Sequence, residues 1–331
     1  MLLGLYRTAV NKLYSLYTPI RRYRANKAME YKHSRGYNSD FTKNVIPISE
    51  VAEKLKQASI MPDDTVFMRC SMPAAQAFQG GAMAFLKELI DYFSPDGTLV
   101  MASYTFDKSP IMVLADNPVF DRDTTIDRLN LFSEIFRRTP GVKRSIHPTH
   151  SLCAIGKHAD WLLADHHKSD FCYSPDSPFA RLIEIGAKEI SIGVFPTSIT
   201  FHYMEQFCPK SATVYSDLDT PIMCRIIIDG KEEVSPYKMT DHFERYDMNY
   251  KVFENTDAQP KRHYFGTTLD FYTVDLQKRV LAMKQLISEG KFWYADTHKI
   301  QSFALRHIIK PMVLAAYFDK IDGKLYPAKK K

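Results

Sequence analysis

The chain has 331 residues, 45% hydrophobic and 25% charged, with 13 Gly and 18 Pro. This composition supplies ample material for a buried core and excludes collagen, low-complexity disorder and a disulfide-rich miniprotein. The formal charge of +6 is unevenly placed: residues 1–48 carry nine basic and two acidic side chains, a net of +7, which leaves 35 basic against 36 acidic elsewhere. A body that is close to neutral is not that of a nucleic-acid-binding protein.

Cys70, Cys153, Cys172, Cys208 and Cys224 form no CxxC pair and are odd in number, which argues against a disulfide framework or a cysteine zinc site and fits a reducing compartment. No apolar run approaches the roughly 18–20 residues that span a bilayer. The opening segment lacks the order of a secretory signal. The sequence therefore predicts a cytoplasmic protein. Residues 1–47 form a basic arm in which Leu2, Leu3, Tyr6, Val10, Leu13, Tyr14 and Tyr17 recur at helical spacing before Pro19, with Arg21, Arg22 and Arg24 following. Over residues 1–24 such a helix fits the inner face of an anionic membrane, and equally fits packing on the body or on a second subunit of a homo-oligomer.

From residue 48 the pattern is regular. Ser49 precedes a helix with Val51, Ala52 and Leu55 on one face, and Thr65–Met68 reads as a buried strand. Gly80-Gly81 opens a helix carrying Phe85, Leu86, Leu89, Ile90 and Phe93, and Pro95-Asp96-Gly97 turns into the strand Thr98–Met101. Strand, helix and strand at this spacing make a βαβ unit with parallel strands. Next come a loop over Pro110–Pro118, a helix over Ile126–Arg138, a strand over Ser151–Ile155, and helices from His158 and from Pro178. A strand over Glu189–Val194 leads to a helix over Ser198–Phe207, and a hairpin turns at Asp229-Gly230. The last stretch, Leu269–Gly290 and Thr297–Phe318, reads as mainly helical.

Three stretches could carry chemistry. Arg69-Cys70-Ser71-Met72 through Gln79-Gly80-Gly81 joins a strand end to a helix start, where backbone N–H groups favour an anion. Arg144-Ser145-Ile146-His147-Pro148-Thr149-His150-Ser151 crowds basic and hydroxyl groups into a loop entering a strand. His202 falls in the first turns of a helix that follows an apolar strand, where α/β proteins place their ligands, and Glu205 shares its face three residues on. There an imidazole can serve as general base. His147, His150 and the His166-His167 pair admit a second reading, a metal-dependent hydrolase. A non-catalytic ligand-binding protein is a third.

Taken in order, DDTVFMRCSM with FQGG, SPDGTLVMASYTFD, FSEIFRRTPGVKRSIHPTHSLCAIG, ADHH with SPDSPFARL, and SIGVFPTSITFHYMEQ make the chain resemble the aminoglycoside 3-N-acetyltransferase family over about residues 50–250. The resemblance implies a three-layer α/β/α fold with a mixed, partly parallel central sheet. On that basis residues 48–268 form the acetyltransferase-like domain, and residues 269–331 a helical C-terminal extension packed on it. It further implies acetyl-coenzyme A as co-substrate, no metal, and an amino-sugar acceptor, either a surface-glycan precursor or an aminoglycoside. His202 matches the family's catalytic histidine and Glu205 the acidic residue of the same helix. Asp107 falls within one position of an acidic residue that assists the histidine or binds substrate. Cys70, Ser71, Met72, Gln79, Gly80, Gly81, Arg144, Ser145, His147, Pro148 and Ser151 match coenzyme-A-facing regions. Asp107, His166, Glu205 and Asp241 are the candidate acceptor contacts. The chain departs from the family in having Arg69-Cys70 where a His-Ser pair is common. It also has Met239 near a substrate-binding Glu of at least one relative.

Overall fold

The computed structural model describes residues 45–106, 119–169, 171–194, 196, 199–209, 216–217, 222–237, 240–241 and 250–293. Residues 1–44 of the arm, Asp107, the expected loop over 110–118, Met239 and the expected helix from Thr297 lie outside the described residues. In chain order the helices are α1 (Glu50–Gln57), α2 (Met72–Gln76), α3 (Gly81–Phe93), α4 (Leu131–Arg137), α5 (Ala159–Leu163), α6 (Pro178–Glu184), α7 (Ile199–Glu205) and α8 (Leu276–Ser288). The strands are β1 (Thr65–Cys70), β2 (Thr98–Ala102), β3 (Val119–Asp121), β4 (Lys143–Arg144), β5 (Leu152–Gly156), β6 (Lys188–Ile192), β7 (Ser216–Asp217), β8 (Ile222–Ile228), β9 (Lys231–Tyr237), β10 (Thr240–Asp241), β11 (Lys261–Phe265) and β12 (Leu269–Asp275).

Among the described residues a seven-stranded mixed sheet runs β11-β12-β6-β1-β2-β5-β4. β1 is parallel to β2 and to β6, while β12 and β5 run antiparallel to their neighbours. Alternation along β1 builds both layers. Val66, Met68 and Cys70 join a core with Val51 and Leu55 of α1, Phe85 and Leu89 of α3, and Phe132 and Phe136 of α4. Phe67 faces the other way, onto Leu162, Phe179, Leu182 and Ile199 of α5, α6 and α7. The result is α/β/α layering. A separate sheet, β3-β8-β9, contains the hairpin at Asp229 and Gly230, both with positive φ as a tight hairpin turn requires.

Three expectations are corrected. The helix over 126–138 shrinks to α4, because the Asn130 side chain accepts from Ser133 N–H (3.1 Å) and caps the helix there. Just before it, Asp127 folds the preceding residues by accepting from Leu129 N–H (2.7 Å), and Leu129 and Leu131 are exposed rather than inward. The stretch from Leu269 opens with a strand: β12 pairs with β6 inside the central sheet, and only then does α8 begin, capped by Asp275. α2, β3, β4, β7, β10 and β11 were not anticipated. Ser49 stands before α1 without a side-chain cap.

This topology gathers the sequence-predicted loops. The ends of the parallel strands β1, β2 and β6 share one rim of the sheet. β5 starts and β4 ends on that rim, because each is antiparallel to its neighbour. Residues 71–81, 103–106, 145–151 and 193–194 therefore leave or enter the sheet on the same side.

Candidate active site

α7 carries the central pair. His202 Nδ1 lies 2.9 Å from Glu205 Oε1, one helical turn away, with the imidazole side chain 19% exposed and the carboxylate 3%. A carboxylate only accepts, so Nδ1 carries the proton in this contact, and in the neutral ring the lone pair is then on Nε2. The Tyr173 ring stands 6.0 Å from the imidazole, and Tyr173 is also 5.7 Å from the ring of His150. Tyr104 and Phe106, stacked at 5.3 Å, both approach His150 at 4.9 Å. Sequence reasoning missed Tyr104 and Tyr173 as site residues: Tyr104 stands within the SPDGTLVMASYTFD segment but was assigned no role there, and Tyr173 falls in none of the matching segments.

The segment after β4 is held by its own side chains. Buried Arg144 donates to Ser151 Oγ (2.9 Å), to the Ser103 carbonyl (3.0 Å) and to the Thr125 carbonyl, with its guanidinium also over the Phe120 ring. Ser151 Oγ donates in turn to the Ser103 carbonyl (2.5 Å). The Pro148 carbonyl accepts from Thr105 Oγ1 (2.5 Å). Arg144 and Ser151 thus bind the end of β2 to the start of β5.

His166 is fully buried. Its Nε2–H donates to the Cys172 carbonyl (3.3 Å), so Nδ1 accepts from the Ser145 hydroxyl (2.9 Å), which itself accepts from Leu152 N–H (2.9 Å). Both ring nitrogens are engaged, which leaves none for an acceptor. His147 Nδ1 accepts from the N–H groups of Thr149 (3.2 Å) and His150 (2.9 Å), placing its proton on Nε2. His150 Nδ1 is 2.8 Å from Thr149 Oγ1. Burial pushes the pKa of His150 and of His166 down to about 3 and lowers that of His147 too. His166 spends both nitrogens on the protein, whereas Nε2 of His147 is buried without a hydrogen-bond partner, and among the described residues no three His, Cys, Asp or Glu side chains gather as a metal site. The hydrolase reading loses its ligands.

On the other face of the rim, Cys70 is buried and burial drives its thiol above the ordinary range. Ser71 caps α2 through Ala74 N–H (3.3 Å), and its own N–H donates to the Ile192 carbonyl (3.1 Å), tying β1 to β6. Met72 packs partly into the core, and Gln79 is exposed. Gly80 and Gly81 have φ of +80° and +72°, and a Cβ on Gly80 would meet that of Ala84 at 2.6 Å. Glycine is needed there for the turn itself. The N–H groups of Ser71, Ala74, Ala75, Gln79 and Gly81 are already bonded within the protein. Asp241 belongs to the short β7–β10 ladder. A groove of about 800 Å³ opens beside β4 between α4 and α5, lined by Arg137, Lys143, Arg144 and Asp160, and its Lys143 pairs with Asp160.

With this geometry in view, a family model described as aminoglycoside 3-N-acetyltransferase matches residues 67–294. The chain belongs to that family. As an aminoglycoside 3-N-acetyltransferase family member it is an acyltransferase, and the match continues through β12 and α8. A prophage-derived aminoglycoside N(3')-acetyltransferase-like protein, YokD, of Bacillus subtilis is 28% identical over 205 residues, 57% of this chain and 73% of that one. Aminoglycoside N(3)-acetyltransferase VII of Streptomyces paromomycinus is 28% identical over 228 residues, 63% and 76% of the two chains. The solved structure titled AAC-IIIb binary with CoASH superposes with a TM-score of 0.61 at 19% identity, covering 75% of this chain and 98% of that one, which shows the shared fold. No described helix is long and apolar enough to cross a membrane.

Proposed function

We propose that the chain transfers the acetyl group of acetyl-coenzyme A to an amino group of an amino sugar by direct attack, with His202 as general base. The observation that carries this reading is the 2.9 Å contact that fixes the His202 tautomer and leaves Nε2 as an acceptor at the rim of the sheet. The acceptor nitrogen attacks the thioester carbonyl carbon, its proton passes to Nε2, the C–S bond breaks, and the coenzyme A thiolate leaves and recovers the proton. Glu205 stabilises the imidazolium formed on the way. Direct transfer needs no enzyme nucleophile, which agrees with the inward, proton-holding thiol of Cys70.

The donor is proposed to lie along the rim between the 70–81 loop and the 144–151 segment. Arg144, Ser145 and Ser151 shape that segment from inside. The Met72 and Gly80 N–H groups, outside the set already bonded, are the candidates to receive the oxyanion. Asp107 and Asp241 remain the proposed acceptor contacts. An aminoglycoside and a nucleotide- or lipid-linked amino sugar both suit the reading, and a membrane or subunit contact through residues 1–24 belongs with the second.

The test is acetyl-coenzyme A consumption with gentamicin-like compounds against nucleotide-linked amino sugars. Turnover confined to the second group removes the antibiotic acceptor. His202→Ala is expected to lower the rate by about 10²–10⁴; an unchanged rate removes the imidazole from the reaction.

A further inference from the structure

Between His202 and the buried histidines stands one side chain that the chemistry above does not use. Tyr173 is 2% exposed and lies in a turn that is pinned on both sides. Before it, the Cys172 carbonyl is held by His166; after it, Ser174 and Ser177 close successive turns into α6 (Ser174 N–H to Phe171 carbonyl 3.1 Å, Ser177 N–H to Ser174 carbonyl 3.0 Å). The ring packs on Phe179 at 4.7 Å and reaches His202 at 6.0 Å, inclined by 36°. Its hydroxyl meets that of Tyr104, at the end of β2. The Tyr173 carbonyl accepts from Gln206 Nε2 (3.2 Å), and the same amide donates to the Tyr203 carbonyl (2.7 Å), which fastens the turn to the last turn of α7.

We propose that Tyr173 is a positioning residue of the acyl transfer, fixing the imidazole of His202 by ring contact and the helix that carries it through Gln206. This rests on the reading of His202 as the base. Glu205 holds one nitrogen of the imidazole, and a single hydrogen bond at Nδ1 does not by itself fix the ring plane. The neighbouring Tyr173 ring adds that restraint. The requirement is steep, since a base must come within hydrogen-bond reach of the proton it takes, and a displacement of about 1 Å costs about 10²-fold in rate. A tyrosine braced by His166, Tyr104, Phe179 and Gln206 is rigid enough to supply the restraint.

The experiment compares Tyr173→Leu, Tyr173→Phe and Gln206→Ala in the full chain by two readouts. The first is ¹⁵N NMR of the His202 ring in the resting protein, which needs no acceptor. The second is steady-state kinetics with acetyl-coenzyme A and either sisomicin or a nucleotide-linked amino sugar. Tyr173→Leu should broaden the His202 ring signals through exchange between ring orientations, the tautomer set by Glu205 being kept, and lower kcat about 10-fold or more, with the KM for acetyl-coenzyme A unchanged. Tyr173→Phe, which keeps the ring, should retain the sharp parent signals and stay within about 3-fold of the parent rate. Gln206→Ala alters an exposed side chain and should lower kcat several-fold, so it decides the matter if Tyr173→Leu does not fold. Parent-like ring signals and kcat in Tyr173→Leu, or in Gln206→Ala where that variant decides, overturn the proposal. Retained activity in His202→Asn would instead remove the base and leave the NMR result to be judged separately.

Discussion

Glu205 is the more telling of the central pair, because its buried carboxylate places the proton on Nδ1 of the base. Glu205→Gln keeps the size but offers an amide that can donate to Nδ1 and move the ring proton onto Nε2. The expected loss is about 10²-fold or more in kcat at nearly constant KM, measured under saturating acetyl-coenzyme A. Cys70 gives the opposite expectation: a thiol held in its protonated form by burial is inert, so Cys70→Ala should stay within a few-fold of the parent rate, and iodoacetamide should leave the native protein active. A large loss in Cys70→Ala that outlasts a check of folding would point back to an acyl-enzyme. At this scale the sequence was informative about identity and poor about direction. His202 and Glu205 could be paired from their three-residue spacing on a helix. Arg144 and His166 could be picked out as polar residues in suggestive loops, but nothing in a linear chain says that the first turns onto three carbonyls of two loops and the second onto Ser145 and Cys172.

Elements were legible wherever the apolar period was unambiguous, as in β1, β2 and α3, whose Phe85, Leu86, Leu89 and Phe93 all reach the core. Local side-chain hydrogen bonds caused the misreading at α4. The run from Ile126 has helical spacing, yet Asp127 and Asn130 capture backbone N–H groups and delay the helix. Asn130→Ala should therefore cost about 1 kcal/mol, read as a lower denaturation midpoint with unchanged kcat. An unchanged midpoint would mean that α4 is held by Phe132 and Phe136 alone. β12 was misread for another reason. In LDFYTVD both faces are covered, with Leu269 and Phe271 in one core, Val274 in the other, and buried Asp270 paired with Arg262 at 2.9 Å. With polar and apolar residues buried on a strand that runs straight into α8, no single period stands out.

Charge balance across the molecule gives a stability expectation with a definite sign. His147, His150 and His166 are held neutral in the folded state, whereas the unfolded chain binds protons near the ordinary value of 6.5. The unfolded state then carries more protons below pH 6.5, so the stability present above that pH drains away as pH falls from 6.5 toward 3. Asp127, pushed up to about 6 by burial, acts in the other direction between its folded and its ordinary value and offsets part of the loss. Melting temperatures between about pH 7.5 and 5 should fall steadily, and His166→Gln should flatten the slope; an identical slope would take the buried rings out of the account. The pairing of β12 with β6 bears on a different property. β6 lies between β1 and β12, joined in register from Ile192 opposite Phe271 to Lys188 opposite Asp275. A nascent chain that has emerged only as far as residue 268 would display the outer row of β6 amides and carbonyls as an open template, sticky toward any extended segment nearby. Solubility during synthesis is thus staked on the prompt arrival of seven residues late in the chain.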